Sequence, residues 1–189
     1  MAPRKKFSKQ DIINAAFEIA KKDGLDAITI RKVAEQLGSS IAPIYVNFED
    51  VDELIEAVVD HTQEIAKQLV LEQNSGHPFR DIGIGGIKFA REYSVLYRDL
   101  IMKNSPHMQH NEEGLEFAIK QMKQDSNLRG FTDEELKDII LKMDIFHTGL
   151  AVQVANDLLP AYVTEEKMIE MLDAVAEDIV IATHAKKQK

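Results

Sequence analysis

Apolar residues recur along the chain mostly at spacings of three and four, the period of an amphipathic helix, and no window alternates strictly enough to predict a strand. A first helix is predicted from Ser8 to Asp23, because the serine can cap its start and Gly24 can end it. A second helix follows Thr29 and ends at Gly38, and a third covers residues 41–47. The pattern predicts an all-α fold that begins with two short helices joined by a glycine turn.

The rest of the chain predicts six further helices. A long fourth helix runs from Asp50 to about Asn74, and the others cover about 79–93, 95–103 and 111–125, a stretch that opens at Thr132 and stops before Pro160, and the residues after Thr164. If Ser40 caps the third helix, Pro43 lies in its first turn, where proline is tolerated. We therefore expect about nine helices in two domains, which are an N-terminal domain of residues 1–49 and a helical body of residues 50–189.

The composition is that of an ordinary globular protein, since 44% of the 189 residues are apolar and 29% are charged. The absence of cysteine excludes disulfides, zinc-thiolate sites and cysteine nucleophiles, and it fits a reducing compartment. The basic N-terminus runs into an amphipathic pattern, and no stretch approaches the roughly 18 apolar residues of a membrane span. We expect a cytoplasmic protein with no membrane partner.

Charge is distributed unevenly along the chain. Residues 1–48 carry eight basic and five acidic side chains, whereas the other 141 residues carry fifteen basic and twenty-seven acidic ones. The N-terminal segment is therefore the part suited to a polyanion, and the remainder is repelled by one. A solvated, lysine-rich end is an equally good interpretation of a net charge this small.

A run of small and aromatic residues between the first and fourth helices resembles the TetR family of bacterial transcriptional regulators. The residues that carry the resemblance are Gly24, Thr29, Ile30, Val33, Ala34, Gly38, Ser39, Ser40, Tyr45, Phe48 and Leu54. The resemblance implies a helix-turn-helix at about residues 28–47, with residues 41–47 as a recognition helix in the major groove of double-stranded DNA. It also implies that a homodimer binds a palindromic operator.

The residue types in this segment suit contact with DNA in their own right. Small side chains at the start of a recognition helix let it approach base edges closely, and an apolar surface favours reading of thymine methyl groups or DNA shape. The resemblance assigns Tyr45 to a phosphate, Asn47 to a phosphate or base edge, and Thr29 with a neighbouring cation to the backbone. Core packing is the alternative for Tyr45, and Phe48 is assigned to the core. The predicted DNA-binding set is Lys5, Lys6, Thr29, Arg31, Lys32, Ser39, Ser40, Ile41, Ala42, Pro43, Tyr45 and Asn47.

One position departs from the family pattern. The family usually places a phosphate-binding lysine where this chain has Val51, and the neighbouring residues Asp50, Asp52 and Glu53 are acidic. Carboxylates oppose a phosphate at a helix N-terminus, although the basic arm at residues 4–9 can compensate. This departure motivates a second hypothesis, a helical small-molecule-binding protein on the same scaffold with weakened or lost DNA binding.

The C-terminal body has a weaker resemblance to some ligand-sensing domains of the family, through Phe89–Ala90 and Leu96–Arg98. Aromatic and methionine side chains at helical spacing predict either ordinary core or a pocket for a largely apolar or aromatic effector. The predicted ligand-binding set is Phe89, Tyr93, Tyr97, Met102, Met108, Phe117, Met122, Met143, Phe146 and His147.

The last two helices carry apolar rows that predict either an intramolecular core or, by resemblance, a homodimeric four-helix bundle. The rows are Leu136, Ile140, Met143, His147, Leu150 and Val154 in one helix, and Ile169, Leu172, Val175, Ile179 and Ala182 in the other. Asp144 and His147 share a helix face and form either a hydrogen-bonded pair or a proton-sensitive part of the pocket.

Other chemistry has little support in the sequence. His107 and His110 lie near Glu112 and Glu113, but exposed polar residues are the better interpretation than a metal site. The glycines at 83, 85 and 86 do not complete a dinucleotide fingerprint, so we expect no cofactor and interpret them as sites of close helix packing. No nucleophile, base and orienting group form a set, so we expect no enzyme. The sequence favours a ligand-responsive repressor.

Overall fold

The computed structural model describes residues 7–103 and 112–187. Within these ranges the chain is all-α, as predicted, with nine α-helices, short 3-10 turns and one turn of π-helix at Arg98–Met102. The helices are α1 (Lys9–Asp23), α2 (Ile30–Gln36), α3 (Ala42–Asn47), α4 (Val51–Leu71), α5 (Pro78–Glu92), α6 (Ser94–Tyr97), α7 (Glu112–Met122), α8 (Asp133–Ala155) and α9 (Glu165–Lys187). No helix in these ranges is long and apolar enough to cross a membrane.

The helices form two compact units. The first unit comprises α1–α3, the N-terminal part of α4 up to Ile65, and the segment that starts at Tyr93 and contains α6 and the π turn. The second comprises the remainder of α4 with α5, α7, α8 and α9. The first unit therefore extends beyond the predicted boundary at residue 49, because α4 and α6 supply part of its core.

The core of the first unit consists mainly of apolar side chains. Ile12, Val33, Ile44, Leu54 and Leu96 are all completely buried in it, although they come from five different helices. Side-chain caps hold its first two helices. Ser8 caps α1, as predicted, and forms a capping box there with Asp11, and Thr29 caps α2. Burial of one apolar stripe from each helix therefore holds the helices together.

Asp99 fixes the turn between α1 and α2 from the distant α6 segment. Its carboxylate is buried and accepts a hydrogen bond of 2.6 Å from the backbone N–H of Leu25. Lys103 lies 2.8 Å from the same carboxylate, and this hydrogen bond, with a second one to Asp26, raises the pKa of Lys103. Gly24 has a φ of 92°, and a Cβ there would lie 2.6 Å from the Asp99 carboxylate. Glycine is thus required at this turn both by conformation and by space.

The core of the second unit lies between α5, α7 and α8. Met122, Leu136 and Ile139 are almost completely buried in it, with Phe79 and Val180 packed against its edge. Leu136, Met143, Leu150 and Leu172 are also buried within the single chain. These four residues of the predicted rows in the last two helices are therefore intramolecular core, the first of the two interpretations.

Two glycines of α5 allow neighbouring helices to approach, which confirms the packing role predicted for Gly85 and Gly86. A Cβ on Gly85 would lie 2.6 Å from the Cα of Val70, and one on Gly86 would lie 2.6 Å from the imidazole of His147. At Gly83 the nearest atom, on Leu172, is 3.6 Å away. The α5 backbone is therefore in close contact with α4 and α8 at two successive residues.

Gly85→Ala is expected to lower the free energy of unfolding by about 1–3 kcal/mol, even though alanine favours a helix by about 1 kcal/mol. The reason is that the added methyl group meets the backbone of Val70, which cannot move aside as a side chain can. Urea denaturation checks the result. Gly83→Ala on the same helix is the control and is expected to be neutral or stabilising, so equal losses at both positions would contradict the packing explanation.

Three helix boundaries differ from the predictions. The N-cap of α3 is Ile41 and not Ser40, with no side-chain cap, although Pro43 still lies in the first turn. The helix predicted at 95–103 is divided into α6 and the π turn. α8 ends at Ala155, before Pro160, because the side chain of Asn156 donates to the carbonyl of Val152 and Asp157 adopts a positive φ of 53°.

Candidate functional site

The segment from α2 to α3 forms the predicted helix-turn-helix. The chain turns at Gly38, which has a φ of 62°, and the N–H of Ser39 donates to the carbonyl of Ala34 at 2.9 Å. Val33 and Ala34 on α2, and Ile44 on α3, are buried and hold both helices to the core. The inner face of each helix is therefore anchored in the core, and the outer face is free to contact another molecule.

The outer face of α3 is apolar and exposed. The exposed fractions are 49% for Ile41, 55% for Tyr45 and 83% for Val46, whereas Phe48 at the end of the helix is 2% exposed. The predictions that Phe48 lies in the core and that Tyr45 points outward are confirmed. We call the exposed residues Ile41, Ala42, Tyr45 and Val46 the α3 face.

The polar residues of the predicted DNA-binding set surround the α3 face unevenly. Thr29, Lys32 and Ser40 are exposed, and Arg31 is exposed but paired with Glu35 at 3.2 Å. Ser39 and Pro43 are half-buried. The side-chain amide of Asn47 donates to the carbonyl of Pro43 at 2.8 Å, so this group is occupied within the helix. Lys5 and Lys6 lie outside the described residues.

At the start of α4, the position where the family usually has a phosphate-binding lysine is used for packing. Val51 is half-buried and packs against the core of the first unit. Carboxylates already satisfy the nearby backbone donors, because the N–H of Glu53 donates to Asp50 at 2.9 Å and that of Glu49 donates to Glu53 at 2.6 Å. This helix end is thus occupied by its own side chains and is a poor phosphate site.

Lys9 is a candidate contact that the predicted set leaves out. Its ammonium group lies 4.8 Å from the centre of the Phe48 ring and 3.6 Å from the carboxylate of Glu53. It therefore supplies a positive charge beside the acidic start of α4. The only feature of the sequence that pointed to Lys9 as a DNA contact was its place in the basic arm at residues 4–9.

A cavity of about 510 Å³ lies in the second unit, within the size range of small-molecule sites. Its apolar wall is formed by side chains of α5, α8 and α9 together with Leu128: Phe79, Ile82, Leu128, Ile140, Met143, Leu172, Ala176 and Val180. The remaining lining residues are polar, apart from Gly83: His77, Arg80, Asp125, Asn127, Asp144, His147, Asp173 and Glu177. The cavity is amphipathic.

Among the described members of the predicted ligand-binding set, Met143 and His147 alone line this cavity. Tyr93, Tyr97 and Met102 belong to the first unit, and Met102 is exposed. Met108 lies outside the described residues. The others belong to the second unit but not to this cavity: Phe89 and Met122 are buried, and Phe117 and Phe146 are half-buried. Phe89 and Met122 thus pack as ordinary core, the alternative interpretation, while a ligand-binding role for the rest of the set stays a prediction.

His147 lies between the cavity and the glycines of α5. Its Nε2 atom is 3.2 Å from the carbonyl oxygen of Gly83. Burial lowers the pKa of His147 below its ordinary value, and the opposing effects of Asp144 and the Gly83 carbonyl are smaller. The imidazole is therefore neutral at neutral pH, and with Nε2 protonated it donates to Gly83.

His147 is expected to make the protein less stable in mild acid. Because its pKa is lower in the folded state, the unfolded chain takes up a proton first as the pH falls below about 6.5, and stability decreases until the folded state is protonated as well. The free energy of unfolding, measured by urea denaturation between about pH 7 and 5, is expected to depend less on pH in His147→Gln. His184→Gln, at an exposed position, is the control, and equal slopes for the wild type and His147→Gln would contradict this assignment.

Comparison with known proteins finds similarity to bacterial transcriptional regulators. A sequence model described as bacterial regulatory proteins, tetR family, matches residues 12–58. The transcriptional repressor DrrR1 of Streptomyces coeruleorubidus is 27% identical over 163 residues, which cover 79% of this chain and 54% of that protein. The nicotine-responsive repressor HdnoR of Paenarthrobacter nicotinovorans is 32% identical over 62 residues, which cover 33% of this chain and 30% of that protein. The chain thus spans about half the length of the first of these relatives, and less of the second.

Solved structures share the fold over almost the whole chain. A TetR regulator from Streptomyces coelicolor superposes with a TM-score of 0.69 at 16% identity, covering 93% of this chain and 98% of that one. The fatty acid degradation regulator FadR of Bacillus halodurans superposes with a TM-score of 0.63 at 14% identity, covering 94% and 97%. Residues 12–58 thus match the tetR family model, and the chain shares the fold of solved TetR regulators.

Proposed function

We propose that this protein is a DNA-binding transcriptional regulator, a repressor that binds a palindromic operator as a homodimer and is released by a small molecule. The observation that carries the proposal is the α3 face, because Val46 and Tyr45 are exposed on a helix whose opposite side is anchored in the core. An apolar recognition surface suits thymine methyl groups in the major groove. Both relatives named above are described as transcriptional repressors.

Exposed apolar positions on the last two helices support the homodimer. Leu141 and Ile145 on α8 are 60% and 69% exposed, Gly149 follows them at the same spacing, and Ile181 on α9 is 57% exposed. We call these four residues the α8–α9 stripe. Residues four apart lie on one side of a helix, and the missing side chain of Gly149 lets another helix approach closely. The stripe suits a second copy of the chain, which would also present two α3 faces to a twofold-symmetric site.

The cavity supports regulation by a ligand. It combines a volume suited to a small molecule with an apolar wall, and α4 is one continuous helix that contributes to both units. A ligand that binds one state of the second unit more tightly shifts the equilibrium between states of the whole chain. The separation of two recognition helices must match about 34–36 Å or a multiple of it, so a small change there lowers operator affinity strongly.

The test is fluorescence anisotropy with the DNA upstream of the gene's own coding region, against a scrambled duplex of equal length. Specific binding is expected at low salt, with a logarithm of the association constant that falls by about 0.9 per phosphate contact for each tenfold rise in salt. Equal binding to both duplexes would contradict the proposal.

The second candidate function is a helical small-molecule-binding protein that has lost its operator. The start of α4 favours it, because Val51 is packed against the core and carboxylates occupy the backbone donors. Lys9 and the exposed Lys32 favour the regulator. Affinity for DNA that is weak and nearly independent of salt would support this second candidate.

A further inference from the structure

The polar part of the cavity lining has an excess of negative charge. Four carboxylates line the cavity, from Asp125, Asp144, Asp173 and Glu177, against a single guanidinium from Arg80. His147 does not balance this excess, because burial holds it neutral, and His77 lies beside Asp125, at 4.0 Å from its carboxylate. A ligand that enters this cavity therefore meets an apolar wall and a negative potential together.

Two of the four carboxylates are already compensated. Asp173 accepts hydrogen bonds of 2.9 and 3.2 Å from Nε of Arg80. Asp125 is buried and accepts from the backbone N–H groups of Phe79 and Asn127 at 3.1 and 2.9 Å. The guanidinium of Arg80 is thus engaged with Asp173, and an anionic ligand could recruit it only by breaking that pair.

The other two carboxylates, of Asp144 and Glu177, are exposed on α8 and α9 at the cavity. No Lys or Arg side chain in the described part of the chain forms an ion pair with either. An ammonium group placed beside them gains Coulomb attraction without displacing an existing partner. The apolar wall, from Phe79 on α5 to Val180 on α9, is suited to the rest of such a molecule.

We propose that the cavity binds a small organic cation, a protonated amine or quaternary ammonium with an apolar body, whose charge is recognised by Asp144 and Glu177. Neutral apolar molecules and amphipathic anions such as fatty acids are thereby disfavoured. This inference rests on the proposed function only in treating the cation as the effector, since binding itself requires no operator.

The test is calorimetry on the full chain with three probes of matched size: phenylbutylamine, phenylbutanol and phenylbutyrate. The amine is expected to bind about tenfold more tightly than the alcohol, and the carboxylate most weakly, because two partly solvated charge contacts of about 0.7 kcal/mol each together give a tenfold gain in affinity. The double variant Asp144→Asn with Glu177→Gln is expected to lose about tenfold in affinity for the amine and none for the alcohol. Asp178→Asn, on the exposed residue that follows Glu177, is the matched control.

The melting temperature of each variant is measured alongside, so that a folding defect is recognised. Tighter binding of phenylbutyrate than of phenylbutylamine would overturn the inference, as would unchanged amine affinity in the folded double variant. Adding the amine to the operator complex separates the two proposals. Amine binding without release of DNA contradicts only the effector role, whereas operator binding without any amine binding contradicts only the inference about the cavity.

Discussion

Ile145→Glu is expected to convert the protein from a dimer to a monomer and to lower operator affinity at least about a hundredfold. Ile145 is 69% exposed at the centre of the α8–α9 stripe. In a twofold-symmetric interface the same position meets its copy or its copy's neighbours, so the variant would bury two carboxylates without partners, at a cost of several kcal/mol. A monomer presents one α3 face and loses the second half-site contact.

Sedimentation equilibrium measures the mass, and fluorescence anisotropy measures the affinity at fixed salt. Leu115→Glu is the matched control, because Leu115 is an apolar residue of α7 that is 42% exposed outside the stripe. It is expected to leave both mass and affinity unchanged. A dimeric Ile145→Glu protein with normal operator affinity would exclude the α8–α9 stripe as the interface.

Val46→Glu is expected to weaken operator binding about tenfold to a hundredfold without altering the fold. The side chain of Val46 is 83% exposed, so the substitution removes no core contact and should change stability by less than about 0.5 kcal/mol. On DNA, the new carboxylate would replace an apolar contact with the bases and would lie among phosphates that repel it.

Anisotropy at a single salt concentration gives the affinity, and urea denaturation gives the stability. Asn14→Asp is the control, since it also adds a negative charge to an exposed helix position of the first unit, on α1. If Val46→Glu and Asn14→Asp weaken binding equally, the effect is one of net charge, and the proposed docking of α3 in the groove is wrong.

Features that depend on neighbouring residues were predictable from the sequence. The cap at Ser8 and the stop at Gly24 act over at most four residues, and the structure has them where the pattern places them. The burial of Phe48 and the exposure of Tyr45 follow from helix periodicity in the same way. The helix-turn-helix could therefore be located closely.

Features that depend on distant residues were not predictable. Asp99 binds the N–H of Leu25 from 74 positions away, and a single sequence does not reveal such a pairing. The cavity draws Phe79, Asp125, Met143 and Glu177 from separate parts of the chain, so its lining follows from how the helices pack and not from any one repeat. An aromatic residue at helical spacing is simply more often core than pocket, as Phe89 is here.

The contribution of Asp99 has a practical consequence for protein engineering. A chimera that joins residues 1 to about 50 of this chain to the sensor domain of another protein would leave out Asp99. The grafted half would then have a polar backbone group without its acceptor and would lack the apolar side chains of Leu96 and Leu100, both of which belong to its core. A transfer of operator specificity should therefore exchange only the exposed residues of α3, and the rest of the recipient protein should stay native.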